Sequence, residues 1–162
     1  MRDLLLILLL TISNNIFAQT KTDTIPSIQN NLAWLDKLEQ ILDKEDKIKF
    51  IVKKIKSDSI YANTGVKLST YISANGCLHN NFGNEIPCKL IFALDDKKLY
   101  TELDLNKFPE QSIILKHLNS ETVDDITIFK GLSATSLFGI RGNCNVVYLK
   151  PNKKFRNLIK TK

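Results

Sequence analysis

The chain has 162 residues, 43% of them hydrophobic and 25% charged, with a formal net charge of +6. Those ordinary globular proportions exclude intrinsic disorder for the bulk of it and suffice for one domain with its own core. A pI near 9.2 would direct a cytosolic chain toward nucleic acid, but the first residues point elsewhere.

Met1 and Arg2 precede an apolar run from Leu4 to Ile12. That run falls well short of the ~20 residues a membrane-spanning helix needs. It fits the apolar region of a secretory signal, with Ser13, Asn14 and Asn15 closing it and small Ala18 suiting the cleavage position. Residues 1–18 are therefore expected to be a signal peptide, cut before Gln19. Export removes nucleic acid from the expected partners. It turns the basic surface toward anionic lipid head groups or an acidic protein face.

About 144 residues follow the cut. Residues 19–29 are polar, contain Pro26 and show no periodicity, so they read as a flexible lead-in. Over 30–56, Leu32, Leu35, Leu38, Ile41 and Leu42 recur at threes and fours, and Ile48, Ile51, Val52 and Ile55 continue the series. This is an amphipathic helical segment. The charges Asp43-Lys44-Glu45-Asp46 either lie outside one long helix or divide it into two. Lys47, Lys49, Lys53, Lys54 and Lys56 make the second half basic. It suits a membrane-surface helix, or a helix packed on its own domain with lysines in water.

Val66–Ile72 is rich in strand formers, and 73–87 reads as a loop or the end of a long hairpin, with turns at Asn75-Gly76 and Asn80–Asn84. Lys89–Leu94 predicts a buried strand, and 110–118 a short helix with Ile113, Ile114, Leu115 and Leu118 on its apolar face. Asp125–Lys130 alternates as a strand stopped by Gly131. Ser133 is placed to cap a short helix from Ala134 to Phe138. Asn145–Lys150 predicts another strand, ended by Pro151. Beyond it lies a basic tail, 151–162, whose Phe155, Leu158 and Ile159 could add one last turn to the domain.

Three cysteines, Cys77, Cys88 and Cys144, allow three single pairings in an exported chain. Cys77 and Cys88 flank the loop and are the favoured pair, worth about 2–3 kcal/mol of loop-closure entropy. The other reading is three reduced, buried thiols. Cys77, His79, Cys88 and Cys144 lack a zinc-site spacing, so no metal or cofactor is expected. No nucleophile elbow or His-Glu-x-x-His motif is present. No catalytic residue is expected, and the chain reads as a non-enzyme. Asp95-Asp96 and Asp124-Asp125 sit at strand boundaries, where solvated turns account for them.

The run from Asp125 to Gly142 resembles the plug-domain signature of TonB-dependent receptors. That signature runs Ile-x-Ser-Ile-x-Val-Leu-Lys-Gly, then Ser-Ala, Leu-Tyr-Gly, Arg-Gly and a hydrophobic strand. Lys130, Gly131, Ser133, Ala134, Leu137, Gly139, Arg141, Gly142 and Val146 fall in register. Phe138 stands for the usual Tyr, and Asn143-Cys144-Asn145 stands for Ala-Asn-Gly. The missing glycine puts the turn before the last strand in question. The resemblance implies a plug-like α/β domain over 57–150. The whole then reads as α+β: an N-terminal amphipathic helix or helix pair followed by a small mixed sheet with short helices.

A receptor also needs a barrel of many ~10-residue strands, which does not fit after Lys150. The implied function is an exported interaction module of the periplasm or outer membrane. It would bind an envelope protein, such as an outer-membrane transport component, and could touch an anionic membrane surface. The alternative is a periplasmic domain that binds a small ligand. Partner-binding candidates are Arg141, Lys130, Gly139 and Gly142. In plugs such an arginine resembles a contact to acidic groups of the barrel. Without a barrel it reads as a local anchor on backbone carbonyls, Asp124 or Asp125.

Overall fold

The computed structural model describes residues 26–61, 71–72, 78–96 and 99–160. The signal segment, most of the lead-in, Cys77 and residues 66–70 of the strand expected over 66–72 lie outside the described residues.

The apolar period of the N-terminal segment forms two helices. Helix α1 spans Ile28–Gln40, and α2 spans Lys44–Ser57. The charged cluster divides them because Asp43 caps: its carboxylate accepts from the Asp46 N–H at 2.9 Å. Ser27 does the same for α1, accepting from Asn30 N–H at 3.2 Å. The first helix thus opens inside the expected lead-in. Pro26 is already packed there, its carbonyl accepting from the Cys88 N–H at 2.7 Å.

Strands β1 (Tyr71–Ile72), β2 (Leu78–His79) and β3 (Glu85–Ile86) form a short antiparallel ladder. The turn joining β2 to β3 closes through Asn80, whose carbonyl accepts from the Gly83 N–H at 3.0 Å. The principal sheet contains β4 (Ile91–Asp96), β5 (Leu99–Glu102), β6 (Val123–Phe129) and β7 (Val146–Pro151). Their order is β5-β4-β7-β6, with β4 and β7 parallel and the outer pairs antiparallel. Helix α3 (Ser112–Leu115) follows a 3-10 turn at Pro109–Gln111. Helix α4 (Gly131–Phe138) runs into a 3-10 turn at Gly139–Cys144. Helix α5 (Lys153–Lys160) closes the described chain. This is an α+β fold with a mixed sheet. The basic tail adds two turns of helix rather than one, anchored by the fully buried Phe155.

Alternation along the strands assigns each residue to one of two layers. Phe92, Leu94, Val147 and Leu149 meet Leu35, Leu38, Ile48, Ile51, Ile55 and Phe155 on the face covered by α1, α2 and α5. Ile91, Ala93 and Val146 meet Ala134 of α4 on the other face, beside Tyr100, Phe129, Phe138 and Tyr148. The helical segment and the sheet therefore share one core. Trp34 belongs to it, stacked on Phe50 at 4.8 Å and edge-on to Phe92 at 6.0 Å. Among the described residues no helix is long and apolar enough to cross a membrane.

The expected Cys77–Cys88 bridge is overturned. Cys88 is bonded to Cys144, with the Cα atoms 5.3 Å apart. The reason is topological. β4 and β7 start side by side, Ile91 opposite Val146, so the residues just before each strand are also neighbours. That pairing also removes two of the four groups weighed for zinc.

Candidate functional site

The segment that carries the resemblance is strand, helix, turn and strand. β6 pairs antiparallel with β7, Ile126 opposite Leu149 and Ile128 opposite Val147. The helix and turn between them lie over the sheet through Ala134 and Phe138.

Helix α4 opens at Gly131, earlier than Ser133 would place it, and Ser133 is not its cap. The Ser133 hydroxyl donates back to the Lys130 carbonyl at 2.8 Å. The first helical N–H, on Gly131, is instead bonded to Asn145 Oδ1 at 3.0 Å. This is the residue standing where the plug signature has glycine. Asn145 keeps a glycine-like backbone, φ 67° and ψ 163°, the only positive φ among non-glycine residues described. Three bonds hold it there. Its N–H reaches the Gly142 carbonyl at 2.8 Å, its carbonyl accepts from Ile91 N–H at 3.1 Å, and its side chain holds α4. Such over-determination is what a strained residue needs to persist.

The four candidate residues divide into two kinds. Gly142 is buried, and a β-carbon there would stand 2.3 Å from the Ala134 carbonyl oxygen. It lets the 3-10 turn touch α4. Gly139 has φ 66° and open space around it, so it serves the backbone conformation alone. Arg141 is ion-paired to Glu102 at the end of β5, not to Asp124 or Asp125 as expected. That bond raises the guanidinium pKa further, against its desolvation. Lys130 reaches across to α1, with Nζ 3.0 Å from both Asp36 and Glu39. Those hydrogen bonds raise its pKa, Asp36 contributing most. Both cations therefore tie elements of the chain to one another. Beside the exposed Asp124, Asp125, Ser133 and Ser136, this unit leaves three large apolar side chains in solvent: Leu132 is 83% exposed, Leu137 62% and Ile140 44%.

Two polar junctions were not visible in the sequence. Asn31 of α1, 1% exposed, donates through Nδ2 to the carbonyls of Cys88 at 2.7 Å and Cys144 at 3.0 Å. The helix is thereby bonded to both halves of the disulfide. Lys89 and Asp104 form a buried ion pair at 2.7 Å. Lys89 also donates to the Tyr61 carbonyl at 3.0 Å. Nearby Asp58 is paired with Lys54 at 2.9 Å. Burial raises the Asp58 pKa, and Lys54 opposes that. The partners of Asn31 and Lys89 come from separate segments, so no local motif announces them, whereas Lys54 and Asp58 stand four residues apart at one helix end. Among the described residues no group of three His, Cys, Asp or Glu side chains could hold a metal.

Asp95 is likewise no solvated turn residue. It accepts from the Tyr148 hydroxyl at 2.7 Å and lies 3.4 Å from Arg156 of α5. Burial, reinforced by this bond, pushes the Tyr148 phenol up to about 12. The raised pKa means that the folded state holds the proton more tightly than the unfolded chain. This contribution to stability is thus complete below pH 10 and lost between about 10 and 12. Ultraviolet titration should show one tyrosine ionising near pH 12 that disappears in Tyr148→Phe. All tyrosines ionising together near pH 10 would contradict the assignment.

No family model, curated protein or solved structure matches this chain.

Proposed function

We propose that this chain is an exported interaction module of the cell envelope, not an enzyme, that binds a protein partner in the periplasm or at the outer membrane. An outer-membrane transport component is the kind of partner the plug-like segment suits. The observation that carries the reading is the exposed apolar set Leu132, Leu137 and Ile140 on that segment. Exposed apolar side chains held on a well-packed unit are what a protein interface needs. Lys130 and Arg141 serve this surface by fixing it to α1 and β5. The disulfide adds support, because such bonds persist in oxidising compartments.

A photo-crosslinking residue at position 132 or 137, in cells making the whole chain, should capture one envelope protein. Leu132→Asp with Leu137→Asp should abolish co-purification and leave the melting temperature unchanged. Capture of no specific protein from either position would overturn the proposal. The second reading, a small-ligand-binding domain, draws on a groove elsewhere on the molecule.

A further inference from the structure

That groove lies between α2 and the segment of α3, on a surface distinct from α4, and does not depend on the partner-binding reading. We infer that it takes the alkyl chain of a free anionic amphiphile of the fatty-acid type. Its volume is about 320 Å³, and it is lined by Val52, Leu115, Leu118, Lys49, Lys53 and Lys56. Leu115 and Leu118 belong to the main core, so the floor is apolar and held in place. Val52 packs against that core from α2.

The three lysines recur at steps of four and three, which aligns them in one ridge along the helix. Lys49 is partly compensated, 3.8 Å from Glu45 and 3.7 Å from Asp46. Lys53 and Lys56 have no carboxylate partner among the described residues. The groove thus combines an apolar floor with an uncompensated cationic rim. A ligand that satisfies both must bury a hydrocarbon chain and leave an anion at the edge. The volume is at the lower end for ligand sites and suffices for a single alkyl chain. A simple inorganic anion would leave the apolar floor unused. A bilayer would meet the lysine tips without entering the groove.

The test is calorimetric titration of the mature chain with dodecanoate below its micelle threshold. Saturable one-to-one binding is expected. Octanoate, four methylenes shorter, should bind roughly a hundredfold more weakly. The pair Lys53→Gln and Lys56→Gln should weaken dodecanoate roughly tenfold without shifting the melting temperature. Absence of saturable binding would overturn the inference, as would equal affinity for both chain lengths or in the lysine variant. Binding to phosphatidylglycerol vesicles without binding to dodecanoate would also overturn it and assign the ridge to a membrane surface. None of these results bears on capture at positions 132 and 137, so the two readings fail separately.

Discussion

Breaking the Cys88–Cys144 bond is expected to lower the unfolding free energy by about 4 kcal/mol, the loop-closure entropy for its 56-residue separation. That is a large share of the ~5–15 kcal/mol that holds a typical domain folded. The bond ties the residue preceding β4 to the turn preceding β7, so its loss frees both strand starts at once. Helix α1 would loosen with them, because Asn31 bonds the carbonyls of both cysteines. Urea unfolding of the Cys88→Ser variant should show the drop, and so should the parent protein after reduction. Non-reducing peptide mapping should link the Cys88 and Cys144 peptides. A midpoint unchanged by reduction, or a Cys77–Cys88 link, would show that the strand starts do not lie together as described.

Gly142→Ala is expected to cost about 3 kcal/mol or more, at or above the upper range for overpacking. The new methyl would stand 2.3 Å from the Ala134 oxygen, 2.5 Å from the Ala134 carbonyl carbon and 2.7 Å from the Thr135 nitrogen. All three are backbone atoms of α4, so relief requires moving the helix, not turning a side chain. The helix is meanwhile pinned at its start by Asn145. Thermal unfolding should fall by roughly 10 °C. Gly139→Ala supplies the contrast. Its methyl meets nothing, and only the φ of 66° penalises it, by about 1–3 kcal/mol. The order of the two effects is the diagnostic result. A Gly142→Ala protein as stable as its parent would mean that the turn does not touch α4.

The local rules were legible wherever one segment contained its own cause. The three-and-four spacing marked Leu35, Leu38, Ile48, Ile51 and Ile55, which α1 and α2 bury. It also included Leu32, which stays exposed, and Leu42, which is 97% exposed because it lies in the link between the helices. Alternation marked Ile126 and Ile128 on one face of their strand, where the core receives them beside Val147 and Leu149. Asn145 shows where such reading stops. The sequence presents it as an asparagine replacing a turn glycine, a departure from pattern. In the fold it keeps the glycine-like backbone, and its side chain caps a helix that begins fourteen residues earlier. Ser133 looked like that cap because serine near a helix start usually is one.

In the sequence Arg141 reads as a partner contact or a local anchor, and Lys130 as a partner contact, because neither has its actual carboxylate nearby in the chain. Their carboxylate partners lie 39 residues away for Arg141, and 94 and 91 away for Lys130. Strand β5, which supplies Glu102, showed no clear alternation of its own.

By itself the sequence determined the elements with a strong period, the α+β class and the small residues that the strand–helix–strand unit requires. Each of these follows from preferences acting over a few neighbouring residues. The tertiary structure alone decided which cysteines join, which carboxylates answer Lys130 and Arg141, and where apolar and basic side chains remain in solvent. Those outcomes depend on which strand starts lie adjacent and which helix crosses which sheet face. Contact between segments dozens of residues apart is set by shared burial, and no local spacing encodes it.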